Sequence, residues 1–379
     1  MEEISSNFLM KKVLNIVPYT YLPFFSGGQK LIAHFNEYLG AKTVLHVAGT
    51  SDNVPSLVRN YSFHPLLNRS RLRYVNLLLT FDFLRLIRKK SIDTVIIEHP
   101  YMGWLIPGLR LFSKVRIICH THNVEAERFR SIGKPWWRIL NFYEGWVLRN
   151  CDYVFCITEA DRDYMVEKMK VRKDHCVIVP YGINEQSSPS DKFSFKQEIC
   201  KKHNLNPDIP LLFFNGLLDY RPNLEALDVI LEKIHPIIRS KGFKCNILIA
   251  GKRLPSTYND LKDYNKENIF YAGFVDDINA YAKAADVLLN PVITGGGVKT
   301  KMIEALGMGT TVVSTHSGAV GVDPKIAGNK LLISEDNDWQ SFCHYIIRSK
   351  ESIHDPTPDA FYKSFYWGNI VKHLISKLK

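Results

Sequence analysis

The sequence predicts an α/β protein of two doubly wound domains facing a cleft. Three observations carry this prediction. Short runs rich in Val and Ile recur with helical segments between them. The runs are almost continuously apolar, so both faces of each strand are buried, as in a parallel sheet covered by helices. The series breaks once, at the polar stretch NEQSSPSDKFS (184–194), and then restarts. A chain of 379 residues is long enough for two such domains.

In the first half the strand-like runs are VLNIVP (13–18), TVLHVA (43–48), TVIIEH (94–99), VRIICH (115–120), YVFCIT (153–158) and CVIVPYG (176–182). In the second they are LLFFNG (211–216), CNILIAG (245–251), IFYAGF (269–274), DVLLNP (286–291), TTVVST (310–315) and KLLIS (330–334). The expected domains are residues 1–185 and 186–355, with residues 356–379 as a C-terminal helical extension. Ligands of doubly wound sheets lie beyond the carboxyl ends of the strands. A cleft between two such domains is therefore the expected site.

Bulk chemistry narrows the function. Hydrophobic residues make up 46% and charged residues 23%, enough for a full core. The net charge of +11 favours anionic partners: phosphates, nucleic acid or an anionic membrane surface. No recognised nucleic-acid-binding module is present, so no nucleic-acid partner is expected. Seven scattered cysteines with no CxxC pair make neither a disulfide framework nor a zinc site, and fit a reducing cytoplasm. The opening MEEISSNFLMKK begins with acidic residues and lacks the apolar run expected of a leader. The stretch VNLLLTFDFLRLI (75–87) is interrupted by Asp82 and Arg85, and no run reaches the roughly 18–20 residues of a spanning helix. A membrane role would be peripheral.

The most informative stretch is NPVITGGGVKTKMIEALGMGTTVVST (290–315). Three glycines must form a loop, since they neither hold a strand nor start a helix well. VKTKMIEALG then reads as a helix stopped by Gly307 and Gly309. A glycine loop, free N–H groups of a helix start, Lys299 and Lys301 together suit a phosphate or diphosphate. Glu304 follows as a candidate for a ribose diol, or else as a partner of Lys301 at i, i+3. The pattern is neither a Walker loop nor GxGxxG.

Read with its neighbours, GGGVKTKMIEALGMGTTVVST followed by GAVGV resembles the donor-binding segment of retaining glycosyltransferases of the GT-B fold, the family-four group (glycosyl transferases group 1). FSGGQKLIAHF (25–35), DTVIIEHPYMGWL (93–105), HTHNVEAERF (120–129), CDYVFCITEADRDYM (151–165), VIVPYGIN (177–184) and FFNGLLDYRPNLEAL (213–227) resemble its other segments, in order. The resemblance implies two Rossmann-like domains, an acceptor-binding first domain and a second domain that binds a nucleotide-sugar. It also implies a last helix that crosses back to the first domain.

The site residues follow from that resemblance. The donor diphosphate would touch Gly27 and Gly28 on one side and Gly295, Gly296, Gly297, Val298 and Lys299 on the other. Glu304 matches the ribose-binding glutamate, and Gly216 opens the second domain. His120 and His122 compete for the catalytic histidine that contacts the donor sugar, and Lys299 is the third catalytic candidate. Two positions depart from the family. Gly296 stands where many members carry an acidic residue, and Leu217 where many carry Arg, so Arg221 is offered as the donor-binding cation. No D-x-D motif suits a metal; VDD (275–277) reads as a loop and helix cap. The expectation is no metal and no resident cofactor, with a UDP or GDP sugar as donor substrate.

Two further stretches bear on the acceptor. RNYSFHPLLNRSRLRYVN (59–76) interleaves arginines with aromatics and suits a lipid diphosphate or an anionic membrane. KPWWRILNFYEGWVLR (134–149) reads either as a membrane-interface helix or, preferably, as a core helix. At the C-terminus Trp367, Ile370, Val371, Leu374 and Leu378 form one apolar stripe for domain packing. The expected protein transfers a sugar to a saccharide or lipid-linked acceptor, in surface polysaccharide or glycoconjugate synthesis. Its expected location is the cytoplasm, peripheral at the inner face of the cytoplasmic membrane. An inactive nucleotide-sugar- or glycan-binding subunit and a nucleotide-sugar epimerase of the same fold are the alternatives.

Overall fold

Two parallel sheets organise the chain, each with its own helices. The computed structural model describes residues 11–377. Residues 1–10, read above for a leader, and Leu378 of the C-terminal stripe lie outside them. The described chain divides into two units: residues up to Gly182 joined by the segment from Trp367 onward, and Ile183–Tyr366. Each sheet has one reversal of strand order, which is where a doubly wound domain binds its ligand.

The first unit holds β1 (Lys12–Ile16), β2 (Val44–Thr50), β3 (Ser62–Leu67), β4 (Thr94–Glu98), β5 (Arg116–His120), β6 (Tyr153–Cys156) and β7 (Cys176–Ile178). Their order is β3-β2-β1-β4-β5-β6-β7, all parallel. The reversal falls between β1 and β4. The helices are α1 (Gly27–Gly40), α2 (Leu79–Lys90), α3 (Ile106–Phe112), α4 (Glu125–Ser131), α5 (Trp137–Arg149) and α6 (Glu159–Glu167). Val95, Ile96, Ile97, Ile117 and Ile118 are completely buried, which is why these strands read as continuous apolar runs.

The second unit follows with α7 (Lys192–Lys202), β8 (Leu211–Asn215), α8 (Arg221–Val229), α9 (His235–Ser240), β9 (Asn246–Ala250), β10 (Ile269–Gly273) and α10 (Ile278–Ala284). Then come β11 (Val287–Asn290), α11 (Thr300–Gly307), β12 (Thr311–Thr315), α12 (Pro324–Ala327), β13 (Leu331–Ser334), α13 (Trp339–Arg348) and α14 (Asp359–Phe365). The strand order is β10-β9-β8-β11-β12-β13, so the reversal lies between β8 and β11. The VDD stretch ends in Asp277, whose side chain caps α10 by accepting the N–H groups of Asn279 and Ala280.

The last helix, α15 (Trp367–Lys377), belongs to the first unit. It buries Trp367, Ile370, Val371 and Leu374. Trp367 packs beside Phe35 and Tyr38 of α1, with tilted rings whose centroids are 6.4 and 6.5 Å away. The chain changes unit at 182/183 and 366/367, against the expected 185/186 and 355/356. Helix α14 stays in the second unit because its Tyr362 hydroxyl donates to the Gly307 carbonyl.

Two expectations need correction. Strand β3 lies outside every predicted strand. It is the edge strand of its sheet, contains Pro65 and is only partly buried, so it presents no apolar run. Helix α5 is not simply a core helix: Glu144, Gly145, Val147 and Leu148 are buried, while Ile139 and Phe142 project outward.

Candidate active site

In the first unit the site grows from the carboxyl ends of β1, β4 and β5, at the β1/β4 reversal. Glu98 ends β4 and is fully buried. Asn15 of β1 donates its amide to Glu98 Oε1 at 2.8 Å. His120 Nδ1 lies 3.1 Å from Glu98 Oε2, and His122 Nε2 lies 2.7 Å from the same oxygen. A buried carboxylate is tolerated when it is supplied with donors in this way. Burial opposes ionisation of Glu98, but the two imidazoles hold it well below the usual carboxylate range. Burial, with His99 next, pushes His122 down to about 3, so the ring stays neutral.

The two histidines differ in what their second nitrogen meets. Both His120 Nε2 and His122 Nδ1 are buried and have no hydrogen-bond partner. His120 sits inside the unit, with its ring against Phe35 at 4.7 Å and Phe155 at 5.9 Å. His122 Nδ1 instead faces the first turn of α1. A Cβ placed on Gly28 would lie 3.9 Å from it, and equally 3.9 Å from the Tyr19 hydroxyl. Because Nε2 donates to Glu98, Nδ1 carries a free lone pair. Gly27 and Gly28 open α1 behind a side-chain cap: the Ser26 hydroxyl accepts from Gln29 N, and Gln29 Oε1 accepts from Phe25 N.

A second set of polar side chains adjoins these. Tyr19 OH is 2.8 Å from His99 Nε2, and His99 Nδ1 is 3.2 Å from Glu125 Oε1. Tyr101 OH and Arg128 both donate to Glu125 Oε2, at 2.6 and 3.0 Å. Burial opposes ionisation of Glu125, but His99, Tyr101 and Arg128 draw it down to about 2. The His99 ring packs on His122 at 4.1 Å. Sequence reasoning missed Glu98, His99 and Glu125 as site residues. The signal available was an ionisable pair, Glu98-His99, closing an otherwise apolar strand run.

In the second unit the predicted donor residues gather at the β8/β11 reversal. Residues 292–299 form the loop, and α11 starts at Thr300. Gly295 has φ +82°, and a Cβ there would come within 2.9 Å of Pro222 in the first turn of α8. Thr294 Oγ1 donates to Glu225 at 2.6 Å, and Glu225 also takes Arg221 Nε at 2.6 Å. The glycine loop thus lies against the start of α8. Arg221 is 85% exposed there. Gly216, just after β8, is close to Asn223, which would strike a Cβ at 2.6 Å.

The two lysines do different things. Lys299 Nζ donates to the carbonyls of Gly295 at 2.9 Å and Gly297 at 3.1 Å, bracing its own loop. Burial pushes its pKa down to about 8. Lys301 Nζ points away from the loop, to Asn215 O at 3.0 Å and Asn223 Oδ1 at 3.4 Å, over the Phe214 ring. It ties α11 to the end of β8, a positioning role that spacing alone did not suggest. Glu304 is half-buried on α11, between Ile303 and Ala305, which face the core. Gly296 is exposed in the loop, and Val298 is half-buried.

Glu98, His120 and His122 are, among the described residues, the group whose ligand atoms are close enough to hold a metal ion. The Glu98 oxygens already receive N–H donors from Asn15 and from both imidazoles. A cation there would have to displace the imidazole protons, so the donor set suits a proton-linked cluster better than a metal.

Two parallel doubly wound units with these loops at their reversal points have the fold of the GT-B glycosyltransferases. The chain belongs to the glycosyltransferases built from two matched domains: residues 26–187 match Glycosyltransferase Family 4, and residues 209–351 match Glycosyl transferases group 1. A 44.6 kDa protein in the cps region of Klebsiella pneumoniae is 26% identical over 297 residues, covering 76% of this chain and 70% of its own. Chitobiosyldiphosphodolichol beta-mannosyltransferase of Debaryomyces hansenii is 21% identical over 291 residues, covering 68% of this chain and 60% of its own. The crystal structure of Anabaena HepE in complex with UDP superposes with a TM-score of 0.71 at 10% identity, covering 97% of this chain and 99% of that one.

Proposed function

We propose that this glycosyltransferase is retaining and metal-independent, and that it moves a sugar from a UDP or GDP sugar to a saccharide or lipid-linked acceptor. The process it serves, in this reading, is the assembly of a surface polysaccharide or glycoconjugate. It works in the cytoplasm, peripherally at the inner face of the membrane. No helix among the described residues is long and apolar enough to cross a membrane. The observation that carries the reading is the Nδ1 atom of His122: buried, without a partner, and 3.9 Å from where a Cβ on Gly28 would lie. Such an atom calls for a ligand donor, and a sugar hydroxyl supplies one.

The roles follow from charge. Cleavage of the sugar–phosphate bond leaves positive charge on the sugar ring and negative charge on the departing diphosphate. Backbone N–H groups of the loop Gly295–Lys299 and the Lys299 ammonium stabilise the diphosphate, each well-placed donor contributing about 3 kcal/mol. Glu304 takes the ribose. His122 holds a donor-sugar hydroxyl, Glu98 holds His122, and the leaving phosphate takes the acceptor proton.

The test is thermal stabilisation of the wild type and Lys299→Ala by UDP, GDP, ADP and NAD. A ligand at about 100 times its dissociation constant stabilises by roughly 2.7 kcal/mol. One sugar-nucleotide base should stabilise the wild type and act much more weakly on the variant. Turnover that EDTA abolishes and a divalent ion restores would contradict metal independence. A product of inverted anomeric configuration would contradict retention.

A further inference from the structure

We propose that residues 69–81 and the end of α3 form a docking surface for an anionic lipid bilayer. The proposal rests on the lipid-linked-acceptor reading and names the surface that would bring the protein to such an acceptor. Leu72, Val75, Leu77, Leu78 and Phe81 lie within ten residues of one another, and each is 65–70% exposed. Clustered exposure on this scale is unusual away from an interaction site.

The patch extends to a second element. Thr80 packs on Gly108 of α3, where a Cβ would meet its methyl at 2.5 Å. Leu111 and Phe112 are three and four residues further along α3, so they share that side of the helix, and both are exposed.

The segment is held in place. Arg73 turns inward: its Nε donates to the Pro18 carbonyl at 2.6 Å, and its NH1 donates to the carbonyls of Arg69 at 2.8 Å and Ser70 at 2.9 Å. The Tyr74 hydroxyl reaches the same Pro18 carbonyl at 3.3 Å. With these two side chains pinned, their apolar neighbours are left facing water.

Charge selects the occupant. Arg69, Arg71, Arg85, Arg88 and Lys89 are exposed around the apolar side chains, with Asp82 as the one acid on that stretch of α2. Apolar groups ringed by arginines suit the headgroup boundary of an anionic bilayer, where each cation near the surface adds to binding. The anchor also leads to the site. The Tyr74 ring meets Tyr101 edge-on at 6.1 Å, and Tyr101 donates to Glu125 beside His99. A lipid-borne acceptor handed over at this surface starts close to the polar cluster around His122.

The experiment is sedimentation of the full chain with vesicles of phosphatidylcholine, alone or mixed with phosphatidylglycerol. Three variants are compared with wild type: Leu77→Ser/Leu78→Ser/Phe81→Ser, Arg85→Gln/Arg88→Gln, and Ile139→Ser/Phe142→Ser on α5. The wild type should bind the anionic vesicles, and either patch variant should bind about tenfold more weakly or worse. The α5 variant should bind like the wild type, and all thermal midpoints should agree. Absence of wild-type binding, unchanged binding by both patch variants, or a loss confined to the α5 variant overturns the proposal. So does a wild-type dimer that the patch substitutions dissolve, which would make a second copy the occupant. Nucleotide release on a water-soluble acceptor, measured in the same samples, separates the two readings. Patch variants that lose vesicles but keep turnover support the surface. Vesicle binding by a wild type that turns over no donor supports the surface and removes the proposed donor and acceptor.

Discussion

The Nε2 atom of His122 lies 2.7 Å from Oε2 of Glu98, a carboxylate with no exposed surface. This contact fixes the imidazole as the tautomer with its proton on Nε2, and so leaves Nδ1 as an acceptor. His120 contacts the same carboxylate from inside the unit, against Phe35. One acid thus orients two histidines whose free nitrogens meet different surroundings.

Substitution should separate them. His122→Ala is expected to lower kcat by about 10²-fold while leaving nucleotide affinity nearly unchanged, because the lost hydrogen bond is to the reacting sugar. His120→Ala should mainly destabilise the first unit. Steady-state kinetics and denaturant unfolding on both variants check this; equal kinetic losses with no difference in stability would contradict the assignment.

Acid should weaken the fold through the same cluster. Burial, then His99, lowers the folded pKa of His122 to about 3, and the two imidazoles hold Glu98 low against its burial. Above the ordinary histidine range neither group makes stability depend on pH, and the stabilisation from the lowered Glu98 pKa is fully present. As pH falls below about 6.5 the unfolded chain protonates His122 while the folded chain does not. Below about 4.5 the unfolded chain also protonates Glu98 before the folded one does. Unfolding free energy measured between pH 7 and pH 4 should fall steadily, and less steeply in His122→Gln.

Diphosphate binding should depend on the proton at Lys299. Burial lowers its pKa to about 8, and a bound diphosphate favours the ammonium form. Affinity should therefore be constant well below pH 8. Above it, affinity should weaken by up to roughly tenfold per pH unit, since binding must then recover the proton. Calorimetry with the preferred nucleoside diphosphate reads this slope, and Lys299→Met should flatten it.

Two glycines should resist replacement for different reasons. Gly295→Ala meets both a left-handed backbone (φ +82°) and Pro222, so a cost of about 1–3 kcal/mol is expected, concentrated in the donor loop. Nucleotide affinity should fall more than global stability. Gly182→Ala drives a methyl into the Trp367 indole and should cost about 1–3 kcal/mol of the first unit's stability, leaving nucleotide affinity intact. Paired denaturation and binding measurements distinguish these patterns.

Much of the architecture was legible because burial leaves a local signature. Runs such as TVIIE (94–98) and NILIA (246–250) are buried on both faces, and their composition announces it. SFHPLL (62–67) did not announce itself, since an edge strand with a proline is half-exposed and mixed in composition. The outward turn of Ile139 and Phe142 was illegible for the converse reason: an apolar sequence predicts burial, and nothing local marks the side chains left without a neighbour.

By itself the sequence determined two doubly wound sheets, the break between them, the glycine loop before α11 with Glu304 on the helix that follows, and two histidines near a strand end. Only the tertiary structure decided which histidine has a nitrogen beside Gly28, that Lys299 braces its own loop, and that Lys301 serves the end of β8. The physical reason is distance along the chain. Apolar periodicity is a property of neighbouring residues, whereas the partners of Glu98 come from positions 22 and 24 residues later and 83 residues earlier. Which polar atoms remain unpaired is settled only when those segments meet.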